Sequence, residues 1–318
     1  MKWKKIGKIY DPSEQLLSDG YNAYAKSPQA LVFDDFVRIY FCAQKKTENG
    51  KYISCPHYAD FDKNLQSIRG VSSLPSIQLG ELGSFDEHGI FPINVLNLSN
   101  RIMAFTTGWS RRNSVSIEMG IGFAESFDGG TTFIKQGLGG PIMTATHNEP
   151  CLVGDAFVRF YDGFYHMWYI FGGPWRRESE LNDPDRFYRI AYARSADGQS
   201  WERNGQFIIN AKSEMECQAL PTVFKYDGLF HMYFCYRDTF NFRISKEMSY
   251  RLGYAYSYDG LNWTRNDELS GVEDSTGEWD SDMKCYPHVF ECDGQHFLLY
   301  NGNEFGKNGF GAALLVDI

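Results

Sequence analysis

The residues with the clearest capacity for chemistry are carboxylic acids that precede a set of recurring prolines. Pro28, Pro92, Pro150, Pro221 and Pro287 lie 64, 58, 71 and 66 residues apart. Acids stand shortly before four of these prolines, among them Asp86, Glu87, Glu149, Glu216 and Asp282. Carboxylates that converge on one place repel each other, which raises the pKa of one of them and prepares it for proton transfer. Cleavage of a glycosidic bond uses such a set, because one acid protonates the leaving oxygen and a second carboxylate acts as base or nucleophile.

Each proline opens a repeated block, which consists of an apolar strand, a turn and an aromatic-rich strand. A second block follows at residues 119–133, 188–201 and 250–263, where an alternating strand runs into an Asp-Gly turn and an aromatic residue. Asp-Gly between alternating runs is a strong hairpin signal. Each repeat therefore supplies four strands, and a regular period of strand-rich repeats is typical of a β-propeller or a solenoid.

The two ends of the chain complement each other. The fifth repeat stops after its third strand, at residues 309–318, whereas residues 2–12 resemble the fourth strands at 201–210 and 262–272. We therefore predict an all-β fold in which residues 1–318 form a single five-bladed β-propeller domain, closed by the N-terminal strand, which completes the last blade. Closure removes exposed sheet edges. In such a fold the first strands of the blades start near one axis, where we expect the acids to meet.

Composition restricts the partners and the compartment. The chain has 31 Lys and Arg against 40 Asp and Glu, a net charge of −9, which argues against a nucleic-acid partner. No segment approaches the ~20 apolar residues of a membrane span, and the N-terminus lacks the apolar region of a signal peptide. Seven cysteines without a Cys-x-x-Cys pair favour reduced thiols in a cytoplasmic protein. No ligand spacing or glycine-rich loop indicates a metal or a cofactor.

Several polar and aromatic residues near the predicted axial ends are candidates for substrate binding. They are Glu87, His88, His147, Trp109, Trp175, Arg237 and Arg243. The tryptophans could stack on a sugar ring, and the arginines could bind a carboxylate or phosphate through two hydrogen bonds. We therefore expect a sugar or sugar-conjugate substrate, which would be anionic if the arginines take part.

Three motifs carry a resemblance to known proteins. The recurring Ser-x-Asp-Gly turn resembles the Asp-box of sialidases and indicates a structural hairpin. Met215-Glu216-Cys217 resembles the Glu-Cys motif of invertase-type glycosidases, and Asn148-Glu149-Pro150 resembles their acid-Pro step, with Glu in place of Asp. With five predicted blades, the chain resembles the propeller glycosidases of glycoside hydrolase families 32, 68, 43 and 130. Nearly the whole chain also resembles an uncharacterised group of glycosyl-hydrolase-like proteins encoded with bacterial surface-polysaccharide genes.

We assign roles to the acids as hypotheses. The resemblance implies that Glu216 is the general acid. Asp86, with Glu87 beside it, is the first choice for the nucleophile or base, and Glu149 would orient the substrate or tune the pKa of the acid. Asp282 is a fourth acid that could take any of these roles. The first blade departs from the family pattern, because residues 24–28 contain no carboxylate where those glycosidases place an Asp.

Two alternatives stay open beside a glycoside hydrolase with paired carboxylates. A glycoside phosphorylase or glycosyltransferase on the same scaffold would place Arg, Lys or His beside the acids to hold phosphate. A non-catalytic sugar-binding propeller would have acids that are spread apart or engaged in salt bridges.

Overall fold

A computed structural model describes residues 1–98, 101–274 and 276–317, and the predicted all-β fold is confirmed. Residues 99–100 and 318, which belong to two of the sequence repeats, lie outside the described residues. The first strands are β1 (Lys2–Tyr10), β2 (Ala23–Val32), β3 (Val37–Lys46), β4 (Tyr52–Phe61), β5 (Ile68–Val71), β6 (Gly89–Leu98), β7 (Arg101–Arg111), β8 (Ile117–Ser126), β9 (Ile134–Lys135) and β10 (Cys151–Tyr161). They are followed by β11 (Phe164–Gly172), β12 (Tyr188–Ser195), β13 (Glu202–Phe207), β14 (Glu216–Tyr226), β15 (Leu229–Asp238), β16 (Arg251–Ser257), β17 (Thr264–Arg265), β18 (Cys285–Cys292), β19 (Gln295–Asn301) and β20 (Phe310–Asp317). Two short 3₁₀ segments span Asp267–Ser270 and Asn303–Gly306.

The strands pair in antiparallel groups of four, which follow the sequence repeats. The groups are β2–β5, β6–β9, β10–β13, β14–β17, and β18–β20 with β1. A single parallel bridge between Ser54 and Gly89 joins the first two groups into one eight-stranded sheet. We number these groups one to five in the order of their first strands.

The N-terminal strand belongs to the fifth group. Strand β1 runs antiparallel to β20, with Lys4 opposite Leu314 and Gly7 opposite Ala312. The indole nitrogen of buried Trp3 donates a hydrogen bond of 2.8 Å to the hydroxyl of Tyr233 in the fourth group. The first ten residues therefore connect the end of the chain to the neighbouring group.

The first strand of every group contains a bulge at the same point. The register shifts between Lys26 and Gln29, Ile90 and Ile93, Gly154 and Phe157, Ala219 and Thr222, and Cys285 and His288. We call the first inserted residue of each bulge the bulge residue; the five are Ser27, Phe91, Asp155, Leu220 and Tyr286. Their separations of 64, 64, 65 and 66 residues are more regular than those of the prolines. The third repeat is therefore aligned on Ala156, and the alignment on Pro150 is corrected by six residues.

The five first strands contact one another in cyclic order. Strand β2 touches β6, β6 touches β10, β10 touches β14, β14 touches β18, and β18 touches β2. Apolar side chains fill the spaces between neighbouring sheets, as Phe41 and Phe310 do between the first and fifth groups. Because each sheet buries both faces against its neighbours, the core consists of several layers around the first strands.

The Asp-box turns have the same hydrogen bonds in three groups. The hydroxyls of Ser126, Ser195 and Ser257 each donate to the Asp two residues later and accept from a glycine N–H. Backbone N–H groups of Ser200 and Gln199 hold the pKa of Asp197 at about 2. These carboxylates close hairpins, in agreement with the structural role predicted for the motif.

The seven cysteines are free thiols. None of the helices in the described residues is long and apolar enough to cross a membrane.

The role of β1 can be tested through Trp3. We expect Trp3→Ala to lower the free energy of unfolding by about 3–5 kcal/mol, because it leaves a cavity between two groups and removes the bond to Tyr233. Urea unfolding followed by circular dichroism measures the change. Lys4→Ala, at an exposed position of the same strand, should change it by no more than about 0.5 kcal/mol; equal effects of the two substitutions would contradict the prediction.

Candidate functional site

A cavity of about 450 Å³ lies where the first strands meet, and all five groups contribute to it. Four of the five bulge residues are in its lining, namely Phe91, Asp155, Leu220 and Tyr286. The remaining lining residues are Tyr24, Lys26, Gln44, Ser54, Trp109, Ile117, Met119, Ile170, Arg186, Tyr188, Ala219, Arg237, Phe242, Arg243, Tyr250 and Phe305. A bulge turns a side chain out of the regular alternation of a strand, so four of the five bulges determine which side chains face the cavity.

Asp155 is the one carboxylate among the described residues of the lining. Its backbone N–H donates to the Thr107 hydroxyl at 2.7 Å, and its carboxylate accepts from the N–H of Leu220 at 3.3 Å. The side chain is buried. Burial raises the pKa of Asp155 to about 7, although the Leu220 N–H and the charge of Arg186 act in the opposite direction. Near neutral pH this group can therefore both give and take a proton.

Four cationic side chains line the same cavity. Arg237 is buried and donates to the carbonyl oxygens of Asp238, Thr239 and Arg186 and to the hydroxyl of Tyr188. Arg243 forms a long ion pair of 3.6 Å with Asp185. Burial and the nearby charges of Arg186 and Arg243 lower the pKa of Lys26 to about 8. With four cations against one carboxylate, the described lining is electropositive, although the whole chain is acidic.

Aromatic rings form two further parts of the lining. Tyr286, Tyr250 and Phe305 meet edge to face, and the Tyr250 hydroxyl lies 2.9 Å from that of Tyr188. On the other side the Trp109 indole donates to the Ser54 hydroxyl at 3.0 Å. The rings offer flat apolar surfaces on which a sugar can pack.

The acids predicted to be catalytic lie elsewhere. Glu149 is paired with Arg203 at 2.5 Å, Glu216 with Arg265 at 2.7 Å, and Asp86 with Lys135. In each case the cation belongs to the fourth strand of the same group, and Asp280 and Lys5 repeat the arrangement in the fifth group at 2.7 Å. We call these four ion pairs staples, because each ties the start of a first strand, or the segment just before it, to the fourth strand of the same group. The staples account for the regular spacing of the acids, since a buried carboxylate requires a partner.

The remaining predicted residues divide between the cavity and its surroundings. Arg237, Arg243 and Trp109 line the cavity, and their role in substrate binding stays a prediction. Glu87 accepts from the N–H of Gly83 and pairs with His88, and the His88 ring stacks against Trp109. Asp282 pairs with Lys246 at the surface, His147 is exposed, and Trp175 packs against the core outside the lining. The catalytic roles assigned to Asp86, Glu149, Glu216 and Asp282 stay predictions.

Sequence reasoning missed Asp155, Lys26 and Arg186. The repeat spacing could have identified Asp155, because Ser27, Phe91 and Asp155 are separated by 64 residues each. Lys26 stands immediately before the bulge residue of the first group. Arg186 lies in the irregular segment between β11 and β12, where no pattern marks it.

The described residues contain no group of three or more His, Cys, Asp or Glu side chains placed to hold a metal ion.

Comparisons with known proteins place the chain in a family. No protein-family model matches it. Uncharacterized protein Rv1502 and uncharacterized protein MT1551, from the H37Rv and CDC 1551 strains of Mycobacterium tuberculosis, are each 30% identical to it over 321 residues, which cover 100% of both chains. The chain therefore belongs to the family of these mycobacterial proteins.

Solved structures show the likeness of the fold. The RGII complex of BT0996 has a TM-score of 0.74 at 17% identity, over 99% of this chain and 92% of the other. A thermostable family-43 glycoside hydrolase has a TM-score of 0.65 at 14% identity, covering 92% and 88% of the two chains. The Bombyx mori GH32 β-fructofuranosidase BmSUC1 has a TM-score of 0.57 at 14% identity, covering 92% and 61%. The resemblance to propeller glycosidases is confirmed at the level of the fold.

The staples predict a specific loss of stability. We expect Glu149→Gln to lower the free energy of unfolding by about 3 kcal/mol, because it leaves the largely buried guanidinium of Arg203 without its carboxylate. Urea titration measures the loss. Asp282→Asn is the control, because its pair with Lys246 is exposed and should leave stability unchanged. Similar losses of stability in both variants would contradict the prediction that the buried staple stabilises the fold more than an exposed ion pair does.

The raised pKa of Asp155 predicts a pH-dependent effect of Asp155→Asn. Between its unfolded pKa of about 4 and its folded pKa of about 7, the folded protein holds a proton that the unfolded chain has released. Stability due to this group therefore falls as pH rises through that window. The Asn variant lacks the effect, so its stability relative to the parent should rise by about 3 kcal/mol between pH 5 and pH 8. Urea midpoints at the two pH values measure it, and a constant difference would refute a raised pKa.

Proposed function

We propose that the chain is a carbohydrate-active enzyme, in which the five groups close into a five-bladed β-propeller and the substrate binds in the axial cavity. The cyclic contacts of the first strands and the pairing of β1 with β20 support closure. The similarity of fold to glycoside hydrolases supports a carbohydrate substrate. The relatives in Mycobacterium fit a bacterial source of the chain.

One observation carries the choice of the acid. Asp155 occupies the bulge position of the third first strand, lines the cavity, and has a pKa near neutrality because of burial. A general acid works best when its pKa lies near the working pH. In the proposed step the Asp155 proton moves to the glycosidic oxygen while the bond from that oxygen to the anomeric carbon breaks. The electron pair of the bond stays on the leaving oxygen, and an external nucleophile forms the new bond to the anomeric carbon.

Hydrolysis by paired carboxylates is the second candidate, and the similarity to glycoside hydrolases favours it. Glu216 would then be the acid, with Asp86 or Glu149 as its partner. These acids would have to leave their staples to reach the cavity, which favours Asp155 instead. Acids held in salt bridges also fit a non-catalytic sugar-binding propeller, and a carboxylate with a near-neutral pKa in the cavity favours an enzyme over that alternative.

A leaving-group comparison tests the assignment. We expect Asp155→Asn to reduce cleavage of methyl glycosides by about 10²-fold or more, because the alkoxide cannot leave without a proton. The same variant should cleave 2,4-dinitrophenyl glycosides within about tenfold of the parent rate, because dinitrophenolate leaves unprotonated. Both rates are measured over a panel of sugars in each anomeric form.

Glu216→Gln is the matched control, compared at a temperature where it is folded. Equal changes on the two leaving groups are expected, because Glu216 acts on stability through Arg265. If Glu216→Gln shows the leaving-group-dependent loss and Asp155→Asn does not, Glu216 is the acid and the paired-carboxylate mechanism replaces the one proposed.

A further inference from the structure

The lining of the cavity is rich in hydrogen-bond donors and poor in acceptors. Lys26, Arg186, Arg237 and Arg243 supply donors, whereas the described side-chain acceptors outside the tyrosines are Asp155, Gln44 and Ser54. The Ser54 hydroxyl is already used, because it accepts from Trp109 and donates to a backbone carbonyl. A neutral sugar presents hydroxyls that need acceptors as well as donors. This lining instead suits a ligand group that carries several acceptor oxygens and negative charge.

Three of the four cations have capacity left for such a ligand. The hydrogen bonds of Arg237 go to backbone carbonyls and the Tyr188 hydroxyl, so it anchors the chain at Arg186. Lys26 and Arg186 form no ion pair with a described residue, and the pair of Arg243 with Asp185 is long. Lys26, Arg186 and Arg243 line the same cavity, and the charges of the two arginines help to lower the pKa of Lys26.

We propose that Lys26, Arg186 and Arg243 form a binding site for a phosphate group at the axis. The group is either inorganic phosphate or a phosphate ester on the sugar. Guanidinium and ammonium groups together match the charge and the several oxygens of a phosphate dianion. Binding of phosphate at this site does not depend on the proposed function, because binding requires no catalysis. Only the role given to Asp155 rests on the proposed function.

With inorganic phosphate, the site supplies the nucleophile that a second carboxylate would otherwise activate. A phosphate oxygen forms a bond to the anomeric carbon, the bond to the leaving oxygen breaks, and the Asp155 proton goes to that oxygen. The proton of the hydrogen phosphate then moves to Asp155. The products are a sugar 1-phosphate and an alcohol, so atoms and charge balance without another reactant. A single acid in the cavity is sufficient for this reaction.

Lys26 makes binding depend on pH. The groups that face it are Arg186, Arg243, the thiols of Cys42 and Cys285, and the ring of Tyr24 at 4.1 Å. Burial raises the pKa of both thiols, so they stay neutral in the range where Lys26 titrates. A bound dianion offsets the repulsion from the two arginines, and Lys26 is then protonated. Above pH 8 binding must therefore take up a proton, and affinity falls about tenfold for each pH unit.

Sulfate is the cleanest probe, because it stays a dianion across the range. We expect calorimetric titration of the parent protein to show about 15-fold weaker sulfate binding at pH 9.5 than at pH 8, because Lys26 is already half deprotonated at pH 8. Lys26→Arg should bind with an affinity that hardly changes over this range, and Lys26→Met should bind at least tenfold more weakly at pH 7. Lys63→Met, which removes a lysine paired with Asp293 at the surface, should behave as the parent. Thermal unfolding of each variant confirms that it is folded.

Two further arms separate the sources of phosphate. Inorganic phosphate is the ligand if two results are found together: cleavage of a methyl glycoside depends on phosphate, and phosphate binds about as tightly as phenyl phosphate. A phosphate ester on the sugar is the ligand if phenyl phosphate binds at least tenfold more tightly than inorganic phosphate and cleavage does not depend on phosphate. Absence of binding by sulfate, phosphate and phenyl phosphate, or binding that Lys26→Met leaves unchanged, overturns the site. Failure of the Asp155 leaving-group test with intact sulfate binding overturns only the proposed acid.

Discussion

The bulge in each first strand is the constraint on which the rest of the site depends. A regular strand directs alternate side chains to the two faces of its sheet, and both faces are packed against neighbouring sheets here. An inserted residue breaks the alternation at one point and frees one side chain to face the axis. Five such insertions recur at intervals of 64–66 residues in the first strands. Four of the inserted residues line the cavity, whereas the rest of these strands packs in the core. The type of the bulge residue then determines which chemical group each first strand presents to the cavity. One group presents a carboxylate, and three present an apolar or aromatic side chain.

The staples solve a different problem in the same groups. In two of the stapled groups the fourth strand is short, because β9 and β17 have two residues each and little pairing of their own. An ion pair from the start of the first strand, or from the segment just before it, ties this fourth strand to the rest of its group. Burying both charges is tolerable because each has a partner, and Glu149 also accepts from the Tyr169 hydroxyl at 2.6 Å. Acids that recur in the repeats can thus serve the sheet, while an acid present in one repeat only serves the cavity.

The sequence was informative about the fold because strands and turns leave periodic patterns. The four-strand repeat, the Asp-box hairpins and the pairing of β1 with the last repeat all follow from patterns of aromatic residues, Asp-Gly and the truncated fifth repeat. Arg237 and Trp109 lie near the ends of β15 and β7, and Arg243 follows β15; these strand ends are recognisable from the aromatic-rich pattern. Asp155 was missed because Pro150 imitates the proline of the other repeats and shifts the alignment, whereas the real bulge carries Ala156. Burial, which gives Asp155 and Lys26 their altered pKa values, comes from five separate parts of the chain and has no local signature.

The pairing of β1 with β20 has a consequence for synthesis of the chain. Strand β1 leaves the ribosome about 300 residues before its partner β20, which at roughly 5–20 residues per second is a delay of tens of seconds. During this interval the nascent chain carries a strand with unsatisfied backbone groups, which is a template for aggregation. Lys2, Lys4, Lys5 and Lys8 make this strand strongly cationic. Mutual repulsion between these cationic strands opposes their pairing in neighbouring nascent chains until β20 is available.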